Sequence, residues 1–197
     1  MEALIDLDQR LFLALNGANS PAWMDSLYIS LTRDETLLAR LLILGLFLFL
    51  IFRSPTWRRR ALWLLPLIAI VDSLNSQILK EIFMRPRPCH ELFEGMRLLV
   101  DCGPAYSFPS SHAANMGAVG IFLALGARGK AARAAILAIP LLVAYSRIHV
   151  GVHYPADVLF GFLEGAILAL IWDALLRFLP ARFRILRAGE KPIRDSA

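Results

Sequence analysis

Hydrophobic residues in this chain are gathered into five long runs that few polar residues interrupt. The runs cover residues 36–53, 60–83, 111–127, 131–147 and 156–178. A helix that crosses a bilayer needs about 20 apolar residues, so several runs are short when each is considered alone. Considered together, they predict an all-α fold, a polytopic transmembrane helical bundle with five to six spans.

Two shorter helices are predicted before the first run. Residues 4–15 place leucines along one helical stripe. Ser20 followed by Pro21 is a suitable N-cap and first turn for a second helix over 22–32. Both segments are too short to cross a bilayer, so we expect interfacial amphipathic helices within residues 1–35. The alternative is that the second helix joins a tilted spanning helix.

The composition agrees with a chain that is surrounded by lipid. Hydrophobic residues make up 57% of the 197 residues and charged residues 19%, with a mean hydropathy of +0.57. A 22.0 kDa globule is mostly surface, so this apolar excess cannot be buried in a soluble core. Disorder, a fibrous repeat and an ordinary soluble globule are excluded. We expect a transmembrane bundle over 36–178 and a basic cytosolic tail over 179–197.

The basic residues indicate how the bundle is oriented. The chain has 21 Lys and Arg against 16 Asp and Glu. With five spans, most of the basic residues share one side, in the loops 54–59 and 128–130 and in the tail. The positive-inside rule places that side in the cytoplasm, so the loops 84–110 and 148–155 face outward. The same arrangement argues against nucleic-acid binding, because these basic residues lie beside the membrane.

Two cysteines, Cys89 and Cys102, both lie in an outward loop. Two are too few for a four-cysteine zinc site or a disulfide-built scaffold. In an oxidising exterior they can form a disulfide that closes a short loop. The alternative is a pair of free thiols.

Polar and charged residues that carry chemistry are concentrated in three outward segments. One segment follows the second run, one precedes the third, and one connects the fourth run to the fifth. The predicted topology brings these ends to one face of the membrane, so their side chains converge. The candidate residues are Lys80, Arg87, Ser110, Ser111, His112, Arg147, His153 and Asp157.

The cations among these residues indicate a phosphate site. Lys80, Arg87 and Arg147 would stabilise a dianionic group, with the arginines able to make bidentate contacts. The turn that begins with Ser110 and Ser111 adds backbone N–H donors at a helix start. Phosphoryl transfer depends mainly on positioning and charge stabilisation, which fixed cations supply. No outward acid cluster suits Mg²⁺, so we expect no metal and no cofactor.

A histidine and a carboxylate supply the reactive groups. His153 and Asp157 are four residues apart at the start of the last run. Asp157 can accept a proton from one ring nitrogen and leave the other free to attack phosphorus, which would form a phosphohistidine. His112 would protonate the leaving oxygen and later take a proton from the hydrolytic water.

These segments resemble the signature of the type 2 phosphatidic acid phosphatase (PAP2) superfamily, which reads KxxxxxxRP, PSGH and SRxxxxxHxxxD. One residue departs from it, since Ser111 stands where the family usually has glycine. The resemblance covers roughly residues 60–178 and implies a helical bundle, a metal-free phosphatase and a lipid phosphate substrate. It implies the same roles for the matching residues, which are Lys80, Arg87, Pro88, Pro109, Ser110, His112, Ser146, Arg147, His153 and Asp157.

Several residues keep more than one interpretation. His149 and His153 have the spacing of a metal pair, with His90 as a possible third ligand, although a residue at a helix end is the favoured interpretation of His149. Asp72 and Asn75 are expected to join an interhelical hydrogen-bond network, while Glu164 is left between that network and function. Arg85 is either a head-group contact or loop surface.

Two classes of function are compatible with the sequence. The first is a membrane lipid phosphatase, for which undecaprenyl diphosphate is the favoured substrate. Phosphatidylglycerol phosphate, phosphatidic acid and transfer of the phosphoryl group to another lipid are alternatives. The second class is an anion or lipid transporter, which needs cations but neither a nucleophile nor its orienting group. In a bacterium, we expect an inner-membrane protein whose active site faces the periplasm or the cell exterior.

Overall fold

The computed structural model describes residues 2–16, 20–32, 37–91, 94–103 and 106–180, without the side chains of 37–40 and 42. Within these residues every regular element is a helix and there is no strand, which confirms the all-α fold class. A π-helical segment, Leu74–Leu79, connects the helices Pro55–Ser73 and Lys80–Phe83 without a break. The helices are α1 (Glu2–Leu15), α2 (Ala22–Thr32), α3 (Leu37–Arg53), α4 (Pro55–Ser73), α5 (Lys80–Phe83), α6 (Pro88–Glu91), α7 (Ser111–Ala124), α8 (Lys130–His149) and α9 (Pro155–Leu176).

Each of the five hydrophobic runs forms a helix, but the helices differ in length. By length and composition, the described residues contain three candidate membrane spans, Pro55–Glu91, Lys130–His149 and Pro155–Leu176. The apolar helix Ile43–Arg53 is shorter, and α7 has only 14 residues. The finer count of five to six spans therefore stays a prediction.

Small residues allow α7 and α9 to pack with their backbones nearly in contact. A Cβ added at Gly165 of α9 would lie 1.8 Å from the carbonyl oxygen of Ala114 in α7. A Cβ at Gly117 would lie 2.2 Å from the carbonyl oxygen of Phe162. Close packing of small residues is how helices associate where the solvent is lipid. The short α7 is therefore the central element of the bundle.

An ion pair is buried at the end of the bundle remote from the candidate site. Arg60 and Asp173 are both 0% exposed, and their charged groups lie 3.0 Å apart. The guanidinium of Arg60 also donates to the carbonyl oxygen of Phe122 at 2.6 Å. A buried charge is retained only when partners compensate its lost hydration, and here Asp173 does so.

Helices α1 and α2 pack against the other end of the bundle. The side-chain amide of Asn16 donates to the carbonyl oxygens of Ile148 and His149, at 3.1 and 2.9 Å. Thr32 in α2 lies 2.9 Å from Ser146 in α8, oxygen to oxygen. The leucine stripe of α1 is left exposed, as at Leu4, which is 72% exposed. Residues 33–36 and 181–197, on which two domain boundaries depend, lie outside the described residues.

The loop between α6 and α7 contains a disulfide between Cys89 and Cys102. Their sulfur atoms are 2.00 Å apart and their Cα atoms 6.0 Å apart. The predicted disulfide is therefore formed, and the alternative of two free thiols is wrong. The bond ties α6, which directly follows the arginine of the first motif, to the segment that leads toward α7.

Candidate active site

The three predicted phosphate-binding cations are buried at one place. Lys80, Arg87 and Arg147 are 5%, 7% and 9% exposed. The Lys80 ammonium group donates to the carbonyl oxygen of Tyr106 at 3.1 Å, and Arg147 donates to the Thr32 hydroxyl at 2.9 Å. All three charges act on His153. Burying like charges together is costly, so this arrangement is suited to an anionic ligand.

The two ring nitrogens of His153 face different groups. Nδ1 lies 3.5 Å from the Asp157 carboxylate, and Nε2 lies 3.4 Å from a guanidinium nitrogen of Arg87. A separation of 3.5 Å is longer than a normal hydrogen bond, and such contacts often tighten when substrate binds. A proton on Nδ1 leaves the lone pair of Nε2 directed at the cations.

The pKa of His153 lies well below that of a free histidine. Burial is the main cause, and the positive charges of Arg147, Arg87 and Lys80 add to it. A lowered pKa means that the imidazole is neutral at physiological pH, since the ring binds a proton only in more acidic solution. A neutral ring has the free electron pair that a nucleophile needs.

Asp157 is held by contacts to both of its carboxylate oxygens. Oδ2 accepts from the backbone N–H of Tyr154 at 2.8 Å, within the capping box of α9. Oδ1 accepts from Arg85 at 2.8 Å, and Arg85 also pairs with Asp8 of α1 at 2.7 Å. Arg85 is therefore not simply loop surface, because its guanidinium is paired with two carboxylates, and a head-group contact stays a prediction. No motif or spacing pointed to this pairing.

Ser110, Ser111 and His112 begin α7. Ser110 is the N-cap, and its own N–H donates to the carbonyl oxygen of Asp157 at 3.0 Å, which connects the second motif to the third. The Ser111 hydroxyl donates to the side-chain oxygen of Asn75 at 2.7 Å. The side chain of Ser111, which stands where the family usually has glycine, thus forms a hydrogen bond between two helices. His112 lies near enough to His153 for its charge to lower the pKa of that ring.

Polar residues within the apolar helices bond to one another. Asn75 donates to Glu164 at 2.8 Å, and Asn115 donates to Asp72 at 3.2 Å. These contacts connect the π-helical segment to α9 and α4 to α7. The predicted interhelical network is confirmed for Asp72 and Asn75, and it includes Glu164.

The structure gives His149 a partner other than a metal. Its Nε2 lies 2.9 Å from the Asp25 carboxylate, and the ring is 1% exposed. In the described part of the chain, one group of potential metal ligands is close enough to share an ion, namely Cys89, His90 and Cys102. Its two cysteines are joined as a disulfide, which does not suit a metal site.

A family model of the PAP2 superfamily matches residues 60–180, and the chain belongs to this superfamily. It is 29% identical to a lipid A 4'-phosphatase of Porphyromonas gingivalis over 85% of this chain and 72% of that protein. It is 25% identical to the undecaprenyl-diphosphatase BcrC of Bacillus subtilis, over 92% and 93% of the two chains. The crystal structure of Aquifex aeolicus LpxE superposes with a TM-score of 0.66 at 28% identity, covering 84% of this chain and 94% of that one.

These similarities define the class of protein. The chain is an integral membrane lipid phosphatase of the PAP2 superfamily, which confirms the predicted family and the predicted enzyme class. The relatives act on chemically different lipids, so family membership alone leaves the substrate open.

Proposed function

We propose that this protein hydrolyses a lipid phosphate or diphosphate at the outer face of a bacterial cytoplasmic membrane, through a phosphohistidine at His153 and without a metal. The observation that carries the proposal is the placement of His153, with Nδ1 toward Asp157 and Nε2 toward Arg87. A transporter needs the cations but gains nothing from a neutral histidine oriented in this way.

In the first step, Lys80, Arg87 and Arg147 bind the phosphate oxygens. Nε2 of His153 attacks the terminal phosphorus, the phosphorus–nitrogen bond forms, and the bond to the leaving oxygen breaks, which is the lipid's own oxygen in a monophosphate and the bridging oxygen in a diphosphate. His112 gives its proton to that leaving oxygen. The ring of His153 becomes positively charged, and the Asp157 carboxylate stabilises it through the Nδ1 proton.

In the second step, water attacks the phosphohistidine. His112, now neutral, takes a proton from the water, and the phosphorus–nitrogen bond breaks. Phosphate leaves, and the electron pair returns to Nε2 of His153. The two steps restore both histidines to their starting protonation states, so the protein's own side chains complete the cycle.

For the substrate we propose undecaprenyl diphosphate, because an outward site suits recycling of a carrier lipid and the chain covers 93% of a relative named for this activity. A phosphorylated glycolipid is the second candidate, since the lipid A 4'-phosphatase relative shares 29% identity over 85% of the chain. The proposed layout has interfacial helices within 1–35, five to six spans within 36–178 and a cytosolic tail over 179–197.

The test is phosphate release by the purified protein in detergent with EDTA. The panel contains undecaprenyl diphosphate, a lipid A 4'-phosphate, phosphatidylglycerol phosphate and phosphatidic acid, each measured also with His153→Ala. We expect release from at least one lipid that the substitution abolishes. Release that persists in His153→Ala would refute the mechanism, and no release from any lipid would favour phosphotransfer or transport.

A further inference from the structure

We propose that Asp8 and Arg85 are positioning residues that fix the Asp157 carboxylate, so that helix α1 is part of the catalytic unit. This inference rests on the proposed role of His153 and Asp157. It extends the site beyond the three motifs, because Asp8 lies 77 residues before Arg85 in the sequence.

Arg85 is held on three sides. One terminal nitrogen donates to Oδ1 of Asp157 at 2.8 Å, and the other donates to Asp8 at 2.7 Å. The flat face of the guanidinium lies over the ring of Tyr154, 3.9 Å from its centroid. A planar group with two directed donors and a stacked face has little freedom to turn. Lysine at this position would keep the positive charge but could not hold both Asp8 and Asp157 in this geometry.

Asp8 connects α1 to the first turn of α9. Its second oxygen accepts from the backbone N–H of Ala156 at 2.9 Å. That N–H belongs to the first turn of a helix, where backbone donors have no partner within the helix. Phe12, one turn further along α1, packs edge-on against Tyr154 with ring centroids 5.5 Å apart. Helix α1 is therefore anchored at the turn that carries His153 and Asp157.

This anchoring determines which way the carboxylate points. Arg85 engages Oδ1 of Asp157, so Oδ2 is directed to the Tyr154 N–H and toward Nδ1 of His153. Asp157 is 0% exposed, and a buried carboxylate that loses its paired cation either turns or binds a proton. In both cases it no longer orients the His153 ring for attack.

The geometry also separates Arg85 from substrate binding. Its two terminal nitrogens are directed at carboxylates, which already neutralise its charge. Phosphate binding is left to Lys80, Arg87 and Arg147. Loss of Arg85 should therefore lower kcat and leave KM nearly unchanged.

The experiment is a double-mutant cycle on the lipid that the enzyme hydrolyses best. Arg85→Gln is introduced into the wild-type enzyme and into Asp157→Asn, and kcat and KM are measured for all four proteins. We expect kcat to fall roughly 10- to 100-fold for the single substitution. This is the range found in metalloenzymes when the hydrogen-bond partner of a metal-ligating side chain is removed, and Arg85 holds Asp157 in a similar way. In the Asp157→Asn background the further loss should be less than about threefold, because residues that act as a unit are not additive.

Three further variants exclude a merely structural effect. Arg85→Lys should recover part of the lost kcat, and Asp8→Asn should lower kcat less than Arg85→Gln does. Asp6→Asn is the matched control on α1, because Asp6 is an exposed residue whose ion pair within the described part of the chain is with Arg10 of the same helix. It should have wild-type kcat. Monodispersity and thermal unfolding in detergent verify that each variant is folded.

The outcomes separate this inference from the proposed function. If Arg85→Gln raises KM at constant kcat, Arg85 binds substrate and the inference is wrong. If Arg85→Gln lowers kcat by the same factor in the wild-type enzyme and in Asp157→Asn, Arg85 does not act through Asp157 and the inference is again wrong. In either case the proposed mechanism survives as long as His153→Ala is inactive. An active His153→Ala would overturn both.

Discussion

Replacing Gly165 by alanine should damage catalysis from within the buried contact between α7 and α9. The added Cβ would lie 1.8 Å from the carbonyl oxygen of Ala114. A normal contact is about 3.5 Å, so α7 and α9 must separate by roughly 1.7 Å. The helix start of α7 carries His112, and that of α9 carries Asp157. Their separation would therefore move His112, the proposed acid, relative to His153, the proposed nucleophile.

The expected magnitude follows from two opposing effects. Overpacking of this kind costs about 1–3 kcal/mol, while glycine-to-alanine replacement in a helix returns about 0.5–1 kcal/mol. The net loss in the free energy of unfolding is thus on the order of 1–2 kcal/mol. Because a misplacement of about 1 Å can cost about 100-fold in rate, kcat should fall much more than stability does.

The assay is kcat on the preferred lipid, together with thermal unfolding in the same detergent. Gly45→Ala in α3 is the matched control, because a Cβ there has no atom within 4 Å. It should preserve kcat and leave stability equal or slightly higher. A Gly165→Ala enzyme with kcat within about twofold of wild type would refute the argument that close packing of α7 and α9 aligns the site.

Three other perturbations test separate parts of the structure. The His153 ring should titrate below the pKa of free histidine, about 6.5, because burial and three cations lower its pKa, and a ring ¹⁵N signal that titrates near that value would contradict this. Arg60→Ala should lower the free energy of unfolding by about 3–5 kcal/mol by leaving Asp173 without its buried partner. Adding Asp173→Ala should then restore part of the loss in a thermal unfolding experiment, and a further additive loss would show that the pair is not coupled. EDTA should leave phosphate release unchanged, whereas a loss that added Mg²⁺ or Zn²⁺ reverses would demonstrate a metal requirement.

The convergence of the three motifs was predictable because it depends only on the order of the helices. Once the second to fifth runs are helices, Lys80, His112 and His153 must meet at one end of the bundle. The interhelical role of Asn75 was also predictable, since a polar group in an apolar helix needs a partner. These predictions follow from topology and from the cost of burying polar groups.

Other contacts depend on geometry that a sequence pattern does not carry. The leucine stripe of α1 indicated a helix at the membrane interface. It gave no sign that Asp8, which stands among those leucines, accepts a hydrogen bond from the first turn of α9. Arg85 looked like any basic residue in an outward loop. The Ser111 hydroxyl bonds to Asn75 because the first turn of α7 faces the π-helical segment, and the motif around Ser111 gave no sign of this contact. Each contact joins residues that are distant along the chain.

The central claim, covalent catalysis by His153, can be tested directly by trapping the intermediate. The enzyme is mixed with a lipid carrying ³²P in the transferred phosphate and is quenched in alkali within the first turnover, since a phosphorus–nitrogen bond survives alkali and breaks in acid. The account predicts alkali-stable, acid-labile label on the peptide that contains His153, and no label in His153→Ala. Turnover without a labelled enzyme, or label on a different residue, would contradict it.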